Sequence, residues 1–123
     1  MEEKEVTVLK VEPGKHPEVV TIGTKLEDLQ NAVGGLIEFY TLEPNVDILC
    51  NEEGKLIGLE GNRKINNDII AGTFYVVGSD DNGDIISISN ETIEKYKQRF
   101  WDIETYTQEE VESSIFMEFF PMD

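Results

Sequence analysis

The sequence is short of most of what enzyme chemistry draws on. It holds one cysteine, Cys50, and one histidine, His16, among 123 residues. A lone cysteine excludes an internal disulfide and suits a reducing compartment. No apolar run approaches the ~20 residues that a membrane-spanning helix needs. The opening stretch MEEKEVTVLK is acidic and lacks the basic-then-apolar layout of a secretory signal, so a cytoplasmic protein is expected. Basic residues are scarce as well: 10 lysines and arginines face 26 acids, for a net charge of −16. Such a chain repels nucleic acid and anionic lipid at long range. Neither is expected as a direct partner, whereas a basic protein surface is. Acidity of this degree also serves solubility alone.

Motif chemistry is missing too. There is no Gly-x-Ser-x-Gly elbow, phosphate-binding loop or dinucleotide glycine fingerprint. His16 lies beside Pro17 in an expected turn, and nothing local pairs it with Cys50 as an imidazole–thiol couple. Asp80, Asn82, Asp84 and Glu91 have the spacing of calcium-loop positions 1, 3, 5 and 12, but Ile85 stands where that loop needs glycine. A polar hairpin turn explains them better. Glu52-Glu53 and Glu109-Glu110 read as solvated faces. No catalytic residue, metal or cofactor is expected, and the reading is non-enzymatic.

What is present makes a folded domain. Hydrophobic residues form 39% of the chain, enough for a core. Residues 6–11 (VTVLKV) and 19–22 (VVTI) read as strands of an N-terminal hairpin around Pro13-Gly14. Thr24 with Glu27 has the spacing of a capping box, Leu26, Leu29 and Val33 then share a helix face, and Gly34-Gly35 ends the helix. Strands follow at 36–42 and 46–50, with Glu43-Pro44-Asn45 between them. KLIGL reads as the second arm of a hairpin around NEEG. Residues 68–78 (DIIAGTFYVVG) read as one long central strand and IISIS as its partner. Ser89 or Asn90 caps a helix with Ile93, Tyr96 and Phe100 on one face and Trp101 beside them. Thr107 with Glu110 caps a last helix, striped by Val111, Ile115 and Phe119. This order predicts an α+β fold: a mostly antiparallel sheet with an N-terminal hairpin, one helix after it, and C-terminal helices. Residues 1–102 are expected to form a single domain. Residues 103–123 form an acidic, aromatic helical extension packed on the domain or on a partner.

Asn62-Arg63 invites a functional reading, because it follows two glycines rather than a turn requirement. Arginine offers a planar fork of donors for carboxylate or phosphate, and asparagine both donates and accepts. A surface arginine bridging to one of the many acids is the plainer alternative.

The stretches VLKVEPGKHPEV, LEDLQNAVGG, CNEEGKLIGLEGNR and DIIAGTFYVVG, in this order, resemble the family catalogued as domain of unknown function 3846 over residues 6 to 101. Where that family usually reads Gly-Leu-Pro-x-Asn-Arg, this chain has Glu60 in place of the proline. The tail after Asp102 falls outside the resemblance. The resemblance implies motif positions at Asn51, Glu52, Gly54, Lys55, Asn62, Arg63 and Gly72. It also implies an accessory protein of phages, plasmids or conjugative elements, for which counter-defence is the expected role by analogy.

Three binding modes remain open at this stage. In the first, the protein sequesters a small anionic, nucleotide-derived signal. Arg63 and Lys55 would pair its phosphate, Asn62 and Asn51 would add polar contacts, Tyr75 or Phe74 would stack, and a homo-oligomer would complete the site. In the second, the acidic surface imitates DNA and docks on a basic face of a host restriction, CRISPR or transcription protein. Glu104, Glu109, Glu110, Glu112, Glu118, Asp80, Asp81 and Asp84 would supply the charge. In the third, Val111, Ile115 and Phe119 insert into a partner groove, flanked by Glu109 and Glu110.

Overall fold

The computed structural model describes residues 5–119 and the side chains of residues 5–113. Its strands are β1 (Glu5–Val11), β2 (Glu18–Gly23), β3 (Ile37–Glu43), β4 (Val46–Asn51), β5 (Gly61–Ile65), β6 (Asp68–Ala71), β7 (Phe74–Ser79) and β8 (Ile85–Ile86). Its helices are α1 (Leu26–Val33), α2 (Asn90–Arg99) and α3 (Gln108–Phe119). The fold is α+β with a mostly antiparallel sheet, an N-terminal hairpin, a helix after it and C-terminal helices. The main sheet runs β2-β1-β7-β4-β3, with β8 on β7, and β5-β6 form a separate hairpin. No helix among the described residues is long and apolar enough to cross a membrane.

Both faces of the main sheet are covered, which explains its near-continuous apolar strands. Side chains alternate across a strand. Leu9, Val11, Ile48, Phe74 and Val76 therefore face α2 and the small hairpin, where Ile93, Tyr96, Phe100 and Ile70 close one core. Phe74 meets Phe100 edge to face at 5.2 Å. Val6, Val8, Leu49, Tyr75 and Val77 face the opposite way, onto Leu29 and Val33 of α1. Each fully buried side chain of this kind contributes roughly 1.5–3 kcal/mol.

Local signals account for most of the elements. β1 and β2 pair antiparallel with Val8 opposite Val20. Ser89 caps α2 by accepting from the Thr92 N–H at 3.2 Å. Thr107 and Glu110 exchange both capping-box bonds, at 2.9 and 3.1 Å. Asn66 and Asn67 both take positive φ, 49° and 70°, as the two-residue turn of the β5–β6 hairpin requires.

Four expectations are corrected. The N-cap of α1 is Lys25 rather than Thr24, with Asp28 reaching back to the Lys25 N–H, and Leu26 is exposed. KLIGL is not a strand. Residues 52–58 wind through successive turns, Ile57 N–H bonding Glu53 C=O at 3.0 Å and Leu59 N–H bonding Gly54 C=O at 2.9 Å. The stretch 68–78 is two strands in two sheets, broken at Gly72. There φ is +86° and an added Cβ would lie 2.7 Å from Leu59 Cδ1, so only glycine fits. Of IISIS, only Ile85–Ile86 is strand.

The chain beyond 102 packs back on the small hairpin. Val111 is buried with Ile69 and Ala71, and Tyr106 lies against them. Lys64 N–H donates to Glu104 Oε1 at 2.9 Å.

Candidate functional site

The Asn62-Arg63 pair lies inside the molecule, each residue 0% exposed. Asn62 Nδ2 donates to Val11 C=O at 2.8 Å and Gly72 C=O at 2.9 Å. Its Oδ1 accepts from Arg63 Nη1 at 2.8 Å. Arg63 Nε and Nη2 both donate to Phe100 C=O, at 3.1 and 2.9 Å, and Nη2 also reaches Lys15 C=O at 2.8 Å. Phe100 is the C-cap of α2, so the guanidinium sits at the negative end of a helix dipole and supplies two donors to the Phe100 carbonyl at the helix end. Burial pulls the Arg63 pKa below its ordinary value, opposed by Glu104 and Asp102. The pair is a clasp that ties β5 to the end of β1, the β1–β2 turn, the Gly72 break and α2. This geometry does not support a ligand contact at Asn62 or Arg63.

The other expected ligand residues have structural employment as well. Asn51 Nδ2 donates to Val33 C=O at 3.2 Å, at the end of α1, and its Oδ1 accepts from the Glu53 N–H at 2.8 Å. Tyr75 packs beneath α1, its hydroxyl donating to Ala32 C=O at 3.2 Å, and burial pushes its pKa up. Lys55 pairs with Asp68 across the mouth of a small pocket.

Three further features are settled by position. Asp80 Oδ1 accepts from the N–H groups of Asn82 and Asp84, both at 2.9 Å, forming a polar turn in place of a calcium loop. His16 stacks on Trp101 at 4.0 Å, its Nδ1 bonded to Trp101 C=O at 2.7 Å, while Cys50 is buried in β4. Val111 is buried in cis against Ile69 and Ala71. Glu109 and Glu110 are exposed at the start of α3, and the side chains of Ile115 and Phe119 lie outside the described residues.

One groove open to solvent lies beside β3, apart from shallower hollows between α1 and the 52–58 turns and along the end of α2. One part, of about 80 Å³, is lined by Glu38, Tyr40, Cys50, Glu52, Lys55, Leu56, Asp68 and Ile70 among others. An adjoining hollow of about 220 Å³ shares Tyr40, Asp68 and Ile70 and adds Leu42 and Ile65. Its lining mixes apolar side chains with Glu38 and Glu52 and with the paired Lys55 and Asp68. Electrostatically it suits a cation or a basic side chain and disfavours a phosphate. Sequence reasoning missed this groove because its two walls come from β3 and the β5–β6 hairpin, whose proximity no local pattern encodes.

A family model described as domain of unknown function (DUF3846) matches residues 6–101. No curated protein and no solved structure matches the chain.

Proposed function

The chain belongs to the DUF3846 family, and for this member we propose a non-enzymatic role: an acidic binding module that docks on the basic surface of a protein partner. One observation carries this reading. No carboxylate among the described residues is buried, so the negative charge faces solvent. The cations, by contrast, are largely engaged. Lys10 and Lys15 bridge to Glu12 at 2.6 and 3.0 Å, Lys95 to Glu43 at 2.6 Å, and Lys55 to Asp68, while Arg63 is internal. The net field is strongly negative and would steer a basic partner toward productive encounter. In the setting the family resemblance implies, a phage or mobile element, that partner would be a host restriction, CRISPR or transcription protein, and the role counter-defence. The groove beside β3 supports a protein partner over a nucleotide-derived ligand, since its lysine is already paired.

Native mass spectrometry of the protein mixed with a purified DNA-binding host protein tests the proposal. The expected complex dissociates as salt rises from about 0.05 to about 0.5 M and is displaced by duplex DNA. A salt-insensitive complex, or a gain the size of a nucleotide with no protein bound, would overturn it.

A further inference from the structure

The main sheet has two edge strands, β2 and β3, and β3 is the longer, seven residues with the sequence IEFYTLE. An edge strand presents unpaired backbone donors and acceptors, and proteins ordinarily blunt it with lysine, proline or a covering element. β3 contains neither lysine, arginine nor proline, and its pairing with β4 is regular from Ile37 to Thr41, with a register shift only between Thr41 and Glu43. The Glu52 N–H bonds Leu36 C=O at 2.8 Å, and the β3–β4 register continues as Ile37 with Asn51, Glu38 with Cys50 and Phe39 with Leu49. Antiparallel hydrogen bonding alternates along a strand. Residues 36, 38 and 40 therefore turn their backbone groups toward β4, and Ile37, Phe39 and Thr41 turn theirs outward.

The side chains around this edge fit an added strand on both faces. On the α2 face, Glu38 and Tyr40 border the apolar groove, with Leu56 at its rim. On the α1 face, Phe39 is 42% exposed, and Leu36, 50% exposed, stands at the start of the strand. The charges select the occupant. Glu38 lies on the strand and Glu52 across the groove, beside the Lys55–Asp68 pair, so acids outnumber bases on that rim, while Glu43 farther along the strand is bridged by Lys95. A second copy of this chain would bring a like charge of −16 to the same edge, which disfavours edge-to-edge pairing with itself.

We infer that β3 is the docking edge for an extended, basic segment of a partner protein, added as a further strand. Alternate side chains of that segment enter the groove beside Tyr40, where its lysines or arginines meet the acidic rim that includes Glu52. The intervening side chains cover Phe39. Main-chain bonds supply affinity and the two side-chain rows supply selection. This inference rests on the acidic-module reading and names its surface.

The probe is a capped peptide of alternating valine and lysine, about seven residues long to match β3, with a valine–glutamate peptide as control. Amide hydrogen exchange followed by NMR is the readout on the full chain. The lysine peptide is expected to slow exchange at Ile37, Phe39 and Thr41, with an effect that fades as salt rises, and the glutamate peptide is expected to leave them unchanged. Thr41→Pro deletes one outward donor at an edge position that tolerates proline, and should weaken binding about tenfold. Phe39→Pro is a second, independent block, and circular dichroism checks that both variants fold. Salt-dependent protection confined to another surface, or undiminished binding by both folded variants, would overturn the β3 inference while leaving the acidic-module reading intact. Failure of the lysine peptide to protect any amide overturns the inference at the level of charge. Concentration-dependent protection of these amides without peptide would make the occupant a second copy and overturn it as well.

Discussion

Two neighbouring parts of one stretch reverse the usual rule of burial. Leu56 and Ile57 are 64% and 58% exposed, while Asn62 and Arg63, a few residues on, are 0% exposed. Apolar groups leave the core at one point and a full charge enters it at another. The difference lies in what each position meets. Around Arg63 stand the carbonyls of Phe100, Lys15 and Asn62, so burial of the guanidinium satisfies its donors and these acceptors together. Around Leu56 and Ile57 the turns hold the backbone at the rim of the groove, and the two cores are already closed by α1, α2 and the small hairpin.

The comparison breaks first at Arg63. Arg63→Ala leaves three carbonyls without their donor and opens a space, and should destabilise the protein by about 3–5 kcal/mol, a large share of a small domain's stability. Urea denaturation monitored by circular dichroism measures it. A loss below about 1 kcal/mol would mean that the clasp is incidental and that the buried charge is no more structural than the exposed leucine.

Asn62→Ala should come next, at about 2–3 kcal/mol, since Val11 and Gly72 lose a shared donor and Arg63 loses an acceptor. The same denaturation series reads it. Thr107→Ala removes one half of the α3 capping box and should cost about 1 kcal/mol. Because α3 packs through Val111 onto β6, accelerated proteolysis near residue 107 should accompany that loss.

A pH test sharpens the same contrast at the margin of the clasp. Burial, and then the hydrogen bond to Glu104, push the Tyr106 pKa from 10.0 up to about 12. The folded-state value exceeds the unfolded one, so the phenol's contribution is complete below pH 10 and is lost as pH climbs toward 12. Thermal melts over that window should fall less steeply for Tyr106→Phe than for the parent. Equal slopes would show that the phenol is solvated like any surface tyrosine.

The smallest effect belongs to the other side of the comparison. Leu56→Ser and Ile57→Ser should change stability by no more than about 0.5 kcal/mol, because both residues stay mostly exposed on folding. A loss of several kcal/mol at either position would mean that the exposed loop packs in solution, and the groove beside β3 would then be filled by its own rim.

Much of this architecture is legible in local pattern. The N-terminal hairpin, the Gly34 stop of α1, the Ile93–Tyr96–Phe100 face of α2 and the Thr107–Glu110 cap each depend on residues within a few positions of one another. Where reading failed, the cause was a distant contact. Residues 68–78 look like one strand until Leu59 crowds Gly72. KLIGL has strand composition but no neighbouring strand to pair with, because the edges of β4 are already taken by β3 and β7. Asn62-Arg63 looks like a surface pair because its partners are remote: Lys15, Val11 and Phe100 lie 48, 51 and 37 positions away in the chain.

The sequence alone therefore determined the class of fold, the acidity of the surface and the start and stop of most elements, since propensity, alternation, capping and charge act over short range or over the whole composition. Only the tertiary structure decided that Arg63 is a clasp, that Gly72 divides two sheets and that β3 stands at an open edge. Hydrogen-bond partners and sheet neighbours are chosen among all segments at once, and a group is buried or exposed according to which of them arrives beside it.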